Sequence, residues 1–328
     1  MVPQDIINRL KESKDIVILP HISADGDALG SSLALALAMK KTNRDVKIYL
    51  EEEIPKVYDF LPGKNLVLEY LATNSSTSNV PCGETVIALD TGDLERLGKR
   101  VEVFNNAGSK INIDHHPTNT YFAEMNYVNP EASATCEIVY ELIKDLGIEL
   151  DNDIALCLYT GILTDTGGFR YNNTTSRTHL IVSELVNYEI DIPAVAYRIF
   201  DAISEGKLRL IGKAINSIEL YEEGKLALVT ITKKMIEETG ALEEETEGVI
   251  NYARNIEGVE IAAFFKEKAE LETKVSLRSK SYANVAEVAS RHKGGGHRNA
   301  AGCTINVNPK EAKKIIFNDL VQALNNHK

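Results

Sequence analysis

Histidine and aspartate side chains recur in four short clusters along the first half of the chain. Each cluster follows an apolar segment and ends in small residues that favour turns. The clusters are HISADGDALGSS with His21, Asp25 and Asp27, VIALDTGD with Asp90, the run Asp114-His115-His116, and GILTDTGGFRY with Asp165. Short carboxylates combined with imidazoles suit a pair of divalent cations. Four such clusters in one chain therefore predict a centre for two metal ions.

Four short β-rich runs lie in this half of the chain, and three of them lead into the first three clusters. The runs are IVILP at 16–20, VKIYL at 46–50, TVIALD at 85–90 and KINID at 110–114. An Ala- and Leu-rich helical segment lies between the first two runs, so the order is strand, helix, strand. Repetition of this unit predicts an α/β fold with a doubly wound, mostly parallel sheet. Ligands of such sheets gather at the carboxyl ends of the strands, where His21, Asp90 and Asp114 lie.

Each cluster also has a structural explanation that needs no metal. Asp25 or Asp27 could cap the helix that follows, and Asp90 could cap an ordinary βα loop. Asp114 could orient a neighbouring histidine rather than bind an ion itself. However, two aspartates and a histidine in the first cluster exceed what a helix cap needs. Asp165 follows a helix, where its charge opposes the helix dipole, and this unfavourable placement indicates a cation nearby.

The second half of the chain has a different order of elements. After residue 188 the pattern loosens, and the sequence predicts a linker over 189–205 between domains at 1–188 and 206–328. Beyond the linker the predicted strands cover 216–222, 225–231, 258–266 and 272–279, and the predicted helices cover 245–254, 284–291 and 309–325. This order predicts a smaller α+β domain with a mixed sheet. A chain of 328 residues is long enough for two domains of ordinary size.

A glycine-rich segment, GGGHRNAAG at 294–302, is the sharpest signal of the second domain. The successive glycines Gly294, Gly295 and Gly296 can expose backbone N–H groups that form an anion-binding nest. His297 and Arg298 add side-chain donors beside it. The alternative is a flexible hairpin that carries incidental charges.

The run KVSLRS at 274–279 is typical of a strand in which Val275 and Leu277 share one face. Lys274, Ser276 and Arg278 then share the other face, from which Arg278 could grip a phosphate with two N–H groups. A surface salt bridge would also account for Arg278, and strand alternation does not separate the two explanations.

The charge balance and the cysteines limit which partners and compartments fit. The formal net charge is −12, so binding to long duplex nucleic acid is not expected, and a phosphate ligand must be held by metals and a local basic patch. The four cysteines, at positions 82, 136, 157 and 303, show no paired spacing, which indicates a reducing compartment. The N-terminal segment has no long apolar run, so we expect a cytoplasmic protein without a membrane partner.

The four clusters resemble, in their order, the motifs of the DHH phosphoesterase superfamily through HISADGDALGS, LDTGD, DHHP and LTDTGGF. The resemblance implies that His21 and Asp25 bind one cation, that Asp27, His115 and Asp165 bind a second, and that Asp90 bridges both. Oxygen-rich ligands with two imidazoles suit two Mn²⁺ ions, for which Mg²⁺ or Co²⁺ could substitute. The implied catalytic residues are Asp90, Asp114 and His116, of which His116 would lie by the substrate phosphate as a hydrogen-bond or proton donor.

The second domain resembles the DHHA1 domain, which follows the DHH domain in one branch of the superfamily. That branch holds nanoRNA phosphodiesterases with pAp-phosphatase activity and is related to the exonuclease RecJ. The resemblance implies an active site in the cleft between the domains, where Arg278 and His297 hold the terminal phosphate of a nucleotide. The substrate would be a short RNA, a dinucleotide such as pApA, or a nucleoside bisphosphate. A homodimer is expected by analogy only.

The sequence leaves the preferred substrate and two other functions open. It does not rank short RNA, pApA, cyclic di-AMP and pAp. A manganese-dependent inorganic pyrophosphatase would share the metal motifs, although the glycine-rich segment favours the nucleotide branch. A non-catalytic nucleotide sensor would share the fold, but such a protein is expected to lack a ligand, and all six positions here carry a suitable residue.

Overall fold

The structure is a computed structural model that describes residues 2–70 and 83–325, so Cys82 lies outside the described residues. The chain divides into two compact units, with the boundary after Ala202. The segment for which the sequence predicts a linker, 189–205, contains a short helix and a π-helical turn at Tyr197–Asp201. The predicted domain bounds at 188 and 206 stay a prediction.

The first unit is built on a six-stranded sheet in which every pair of neighbouring strands is parallel. Its strands are β1 (Asp15–Pro20), β2 (Asp45–Leu50), β3 (Val67–Glu69), β4 (Thr85–Leu89), β5 (Ser109–Asp114) and β6 (Met125–Val128). Their order across the sheet is β3-β2-β1-β4-β5-β6, which confirms the doubly wound prediction. The strand order reverses between β1 and β4, and ligands of such sheets bind beyond the carboxyl ends of the strands at this switch point.

Helices cover both faces of this sheet. They are α1 (Gln4–Glu12), α2 (Gly26–Lys40), α3 (Val101–Asn105), α4 (Thr135–Asp145), α5 (Asn152–Asp165), α6 (Ser176–Leu185) and α7 (Ile192–Ala196). Side chains of β1 alternate between two cores, with Ile16 and Ile18 in one and Val17 and Leu19 in the other. This alternation explains why the strand is a continuous apolar run, since both of its faces are buried.

Helices α2 and α5 pack closely because glycine lies at their contact. A Cβ atom at Gly30 would lie 2.6 Å from the backbone oxygen of Cys157, which is too close for any side chain. Gly161 of α5 packs in the same way against the Cys136 thiol and the Asp27 carboxylate. The tight contact fixes the start of α2, and with it Asp25 and Asp27, relative to the end of α5.

The second unit contains a six-stranded mixed sheet of order β11-β12-β10-β9-β8-β7, as the sequence predicts. Its strands are β7 (Glu219–Tyr221), β8 (Leu226–Ile231), β9 (Ile261–Ala269), β10 (Glu272–Ser279), β11 (Gly295–His297) and β12 (Ala300–Ile305). Its helices are α8 (Glu205–Asn216), α9 (Lys233–Thr239), α10 (Val249–Arg254), α11 (Val285–Arg291) and α12 (Pro309–Asn325). Only β8 and β9 pair in parallel; the other pairs among the described strands are antiparallel. The sheet separates two hydrophobic cores, one under α11 and α12 and one under α8 and α10.

Candidate metal centre

The carboxyl ends of three adjacent strands bring the first three clusters together. His21 directly follows β1, Asp90 directly follows β4, and Asp114 is the last residue of β5. Since β4 pairs with both β1 and β5, the three side chains meet at one edge of the sheet, beside the switch point. Asp165, the last residue of α5, completes the group from the helical layer.

His21 is buried and directs one ring nitrogen towards two carboxylates. Its Nδ1 lies 2.7 Å from the backbone oxygen of Ile22, a contact that requires Nδ1–H to donate. Nε2 then faces Asp25 Oδ1 at 3.7 Å and Asp90 Oδ2 at 3.6 Å. Burial lowers the pKa of His21, but the two carboxylates outweigh it and raise the pKa to about 10. The carboxylates that raise this pKa form a surplus of negative charge, which a cation would balance.

His115 repeats this arrangement on the other side of Asp90. Its Nδ1 lies 3.2 Å from the backbone oxygen of Ala132, so Nε2 faces Asp165 Oδ2 at 3.6 Å and Asp90 Oδ1 at 3.7 Å. Burial lowers the pKa of His115, while Asp27, Asp90 and Asp165 raise it to about 9. Asp90 therefore offers one oxygen to each histidine.

The donor atoms fall into groups that fit two cations. Nitrogen and oxygen atoms within 4.8 Å of one another form the sets His21–Asp25–Asp90, Asp27–His115–Asp165 and Asp90–His115–His116. The first two sets contain the six residues that the resemblance implies as ligands. Carboxylates and imidazoles without a thiolate suit Mn²⁺, Mg²⁺ or Co²⁺ better than a sulfur-ligated ion. The residues present thus fit the implied metals.

Asp27 is held in place by the first turn of α4. It is 1% exposed, and its two oxygens accept hydrogen bonds from the backbone N–H groups of Thr135 at 2.6 Å and Cys136 at 2.9 Å. Thr135 Oγ1 also donates to Asp90 Oδ1 at 3.0 Å, so one residue fixes two candidate ligands. Burial and the charge of Asp90 raise the pKa of Asp27 well above its usual value, which again favours a cation at this position.

Asp25 lies at the N-cap of α2 and also beside His21. Its Oδ1 accepts from the backbone N–H groups of Asp27 and Ala28, both at 3.1 Å. The cap that the sequence leaves open as an alternative is therefore present. It does not displace the carboxylate from the group around His21, because Oδ1 lies within 3.7 Å of both the helix N-terminus and the ring.

Asp114 orients His116 through a hydrogen bond. The structure shows no such hydrogen bond between Asp114 and His115. The buried Asp114 carboxylate accepts hydrogen bonds from His116 Nδ1 at 2.7 Å and from Asn119 Nδ2 at 2.6 Å. Burial raises the pKa of Asp114, but these two hydrogen bonds outweigh it and lower the pKa. The hydrogen bond to Asp114 raises the pKa of His116. The side chain of His116, which is 37% exposed, is thus oriented by a buried carboxylate that favours its protonated form.

Asp165 is held by Asn173, a residue that the sequence analysis missed. Asn173 Nδ2 lies 3.4 Å from Asp165 Oδ2, 3.1 Å from Asp165 O and 2.9 Å from the backbone oxygen of Ser133. Burial raises the pKa of Asp165 to about 6. Thr135, Asn119 and Asn173 could have been suspected only from their nearness to the clusters, since asparagine and threonine are common in loops.

Asp90 adopts a left-handed backbone conformation, with φ = +54°. Its N–H donates to the backbone oxygen of Ile113 at 3.0 Å, which ties this turn to β5. A side chain other than glycine in this region costs about 1–2 kcal/mol, and such strain clusters at functional sites. The strained turn directs the Asp90 carboxylate between His21 and His115.

In the second unit, β10 shows the predicted alternation. Val275 and Leu277 are buried, while Lys274 is exposed and Ser276 and Arg278 are half-buried on the other face. Arg278 donates from Nη1 to the neighbouring backbone oxygen of Leu277 at 2.9 Å. The described side chains show no salt bridge to Arg278, so the alternative role of a surface ion pair is not what the structure shows.

The glycine-rich segment forms the hairpin of β11 and β12. His297 and Arg298 are exposed, and Arg298 Nη2 donates to the backbone oxygen of Tyr282 at 2.9 Å. The N–H of Gly294 donates to Ala289 O at 2.9 Å, so this group is not available to an anion. A Cβ at Gly296 would lie 2.5 Å from Ala300 O, so the tight strand pairing requires glycine there. The segment thus forms a hairpin and also presents the side chains of His297 and Arg298. A Cβ at Gly295 would meet no atom within 4 Å.

Comparison with known proteins matches both halves of the chain. The DHH family, N-terminal domain, matches residues 15–162, and the DHHA1 domain matches residues 225–326. The bifunctional oligoribonuclease and PAP phosphatase NrnA of Thermus thermophilus is 34% identical over 291 residues, which cover 88% of this chain and 84% of that protein. The chain belongs to the DHH family. It is therefore a hydrolase of the phosphoesterase class, as the sequence predicts.

Two further relatives span almost the whole chain. The NrnA of Bacillus subtilis, with the same description, is 28% identical and covers 92% of each protein. The crystal structure of an exopolyphosphatase-related protein from Bacteroides fragilis has a TM-score of 0.85 and 30% sequence identity, and it covers 99% of this chain and 97% of that one. The match in both units confirms the α/β and mixed-sheet architecture.

Proposed function

We propose that this protein is a phosphodiesterase that hydrolyses short oligoribonucleotides and linear dinucleotides such as pApA to 5′-mononucleotides with two Mn²⁺ ions. We include 3′-phosphatase activity on pAp and hydrolysis of cyclic di-AMP as further activities of the same site. The NrnA relatives are named as oligoribonucleases and PAP phosphatases, and they align along both domains. The acidic net charge of −12 supports short substrates over long duplexes, because only a few phosphates then need neutralising.

The observation that carries the proposal is the position of Asp90 between the two histidines. One oxygen lies 3.6 Å from His21 Nε2 and the other lies 3.7 Å from His115 Nε2. A carboxylate shared in this way can hold two cations side by side, with His21 and Asp25 on one and Asp27, His115 and Asp165 on the other. Two divalent cations would activate water and neutralise charge on the phosphate.

The side chains around the cations supply orientation and a proton. The P–O bond to the leaving nucleoside breaks as water adds to phosphorus, and the leaving oxygen must gain a proton. His116 can give that proton from Nε2, because its Nδ1 is tied to Asp114 and its pKa is raised by that bond. Asn119 holds Asp114 in turn, so His116 has one preferred ring orientation.

We propose that the second domain binds the rest of the nucleotide. Arg278 presents a guanidinium group from β10, which suits a phosphate held by two N–H groups. His297, Arg298 and the backbone at Gly295 and Gly296 would add donors from the hairpin.

The proposal also covers the cellular compartment and the oligomeric state of the protein. None of the described helices is long and apolar enough to cross a membrane. Cys136, Cys157 and Cys303 are buried free thiols, which supports a reducing compartment, and we infer a cytoplasmic protein. A homodimer is the assembly that we expect by analogy, to be measured by light scattering.

The test is a side-by-side assay of five substrates with manganese: a short RNA, pApA, cyclic di-AMP, pAp and inorganic pyrophosphate. We expect AMP from pApA, with slower release from the other nucleotides and none from pyrophosphate. Hydrolysis of pyrophosphate alone would replace the proposal by a pyrophosphatase. Tight binding of pApA without turnover would replace it by a nucleotide sensor.

A further inference from the structure

The loop that follows Asp165 has an unusual backbone. Gly167, Gly168 and Phe169 adopt positive φ angles of +57°, +70° and +64° in succession. The loop turns back on the end of α5, where Gly168 N–H donates to Leu163 O at 2.8 Å. Glycine adopts such angles readily, but a left-handed Phe169 is strained, and such strain is typical of segments that present a functional surface.

Two exposed aromatic rings lie against the glycines of this loop. The Tyr171 ring covers Gly167 so closely that a Cβ there would collide with it, and Tyr171 is 60% exposed. The Phe200 ring lies beside Gly168, where a Cβ would be 3.4 Å from it, and Phe200 is 41% exposed. Phe200 belongs to the π-helical turn, a conformation that is frequent at functional sites.

Arg170 lies over the Phe200 ring and is tied to the glycine that the Tyr171 ring covers. Its guanidinium carbon lies 5.4 Å from the centroid of the Phe200 ring, and its Nε donates to the backbone oxygen of Gly167 at 2.5 Å. The guanidinium group is thus held beside Gly167 and Gly168, the two glycines against which the rings lie. Planar cations and aromatic faces are the surfaces on which proteins stack nucleobases.

We propose that Tyr171, Phe200 and Arg170 form a stacking site for a nucleobase of the substrate, and we call it the base platform. The inference rests on the proposed function and adds the contact that recognises the base. The loop that supports the platform begins two residues after Asp165, whose carboxylate lies 3.6 Å from His115 Nε2. A base held there belongs to a nucleotide whose phosphate lies at the metal centre.

The chemistry of the platform indicates which substrates it accepts. Every base has an aromatic face, so stacking tolerates sequence, and purines gain more because their faces are larger. The Arg170 charge adds attraction for an anionic nucleotide. The platform thus favours oligonucleotides and nucleoside bisphosphates over phosphate compounds without a base.

A binding experiment can test the platform directly, because the chain contains no tryptophan. In Tyr171→Trp the new ring is the sole indole, and stacking on a base quenches its emission. We expect quenching by pApA in the presence of Ca²⁺ and no quenching by the abasic dinucleotide analogue. Leu68→Trp, at a 41% exposed position on the edge strand β3, is the control that should not respond. Equal quenching by the abasic analogue would overturn the proposal.

A kinetic experiment separates this inference from the proposed function. The measured quantity is the KM for the abasic analogue divided by the KM for pApA. Stacking predicts that Tyr171→Ala lowers this ratio roughly tenfold, whereas Tyr171→Phe, which keeps the ring, retains it within about twofold. Tyr197→Ala, at an equally exposed tyrosine of the π-helical turn, is the control. A wild-type protein that hydrolyses neither compound refutes the proposed function, whereas hydrolysis with an unchanged ratio in Tyr171→Ala refutes only the platform.

Exposed rings can also mark a contact between two copies of a chain. Light scattering on Tyr171→Ala and on the wild-type protein distinguishes this case. An unchanged mass together with a lowered KM ratio supports the base platform. A lower mass in the variant with an unchanged KM ratio overturns it in favour of a subunit contact.

Discussion

Three buried aspartates of the first unit are restrained by hydrogen bonds, whereas the proposed substrate donors on the hairpin of the second unit are exposed. Asp27, Asp90 and Asp114 are at most 2% exposed, and each accepts a hydrogen bond from a fixed donor. His297 and Arg298 are exposed on a hairpin. Restrained side chains hold charge in place before a ligand arrives, while exposed ones lose conformational freedom when it binds. The first region should therefore control metal binding and turnover, and the second should control substrate affinity.

The largest expected effect comes from the residue shared by both ligand sets. Asp90→Asn should lower kcat at least about 1,000-fold, because each cation loses part of its charge balance. Calorimetric titration should also show weaker Mn²⁺ binding. Asp93→Asn is the matched control, since Asp93 caps the next turn through Arg96 N–H at 3.0 Å and lies outside both sets. Turnover by Asp90→Asn at the wild-type rate would end the two-metal account.

Metal removal tests whether the restrained region depends on its ions. The clustered carboxylates repel one another without cations, so EDTA should lower the melting temperature by about 5–10 °C. Differential scanning calorimetry measures the shift, and added Mn²⁺ should reverse it. The shift should be smaller in Asp90→Asn. A melting temperature that does not respond to EDTA would count against the site.

A smaller effect is expected for a side chain that orients a candidate ligand but is not itself in either ligand set. Asn173→Ala frees Asp165, and the loss of such an orienting hydrogen bond typically costs about 10–100-fold in metal affinity or activity. The KM for pApA should change little, so the split between kcat and KM identifies a positioning role. The exposed neighbour Asn172, changed to Ala, is the control. Equal Mn²⁺ affinity in the two variants would contradict this role.

The proposed substrate donors of the second unit should respond in the opposite sense. Arg278→Ala should raise the KM for pApA about tenfold, the worth of a charge-assisted contact, while kcat and Mn²⁺ affinity stay near the wild-type values. Arg209→Ala removes the same charge from the exposed face of α8 and should leave both constants unchanged. A fall in kcat for Arg278→Ala without a change in KM would erase the proposed division between the two regions.

The strand ends of the first unit could be predicted because their cause is local. Apolar runs that end in His21, Asp90 and Asp114 predict parallel strands, and the topology of such sheets brings their carboxyl ends together. The same reasoning predicts the faces of β10, on which Arg278 lies opposite Leu277. Both inferences use only the periodicity of side chains along a strand.

The residues that hold the ligands could not be predicted in this way. Thr135 holds Asp27 through a backbone N–H at the start of α4, a group that every residue except proline has. Asn173 reaches Asp165 only because the loop after α5 turns back through three left-handed residues. The N–H of Gly294 donates to Ala289 O because α11 ends beside the hairpin. These contacts depend on tertiary packing and leave no periodic trace in the sequence.

Helix α8 shows a further limit. The sequence predicts a strand over 216–222, whereas α8 continues to Asn216 and the strand covers only Glu219–Tyr221. The predicted start of the strand is wrong because Asn216 belongs to α8, a helix that buries Leu210, Ile211 and Ala214 on one face. Helical packing against the sheet thus decides a segment that has mixed local preferences.

At the left-handed turn of Asp90, the residue that activity requires differs from the residue that would best stabilise the fold. Glycine would adopt that turn without strain, so Asp90→Gly should make the ion-free protein harder to unfold while it removes the shared carboxylate. Selection for a sturdier fold alone would favour glycine at this position. An aspartate at this position therefore gives the backbone a less favourable conformation but supplies the carboxylate that both ligand sets share.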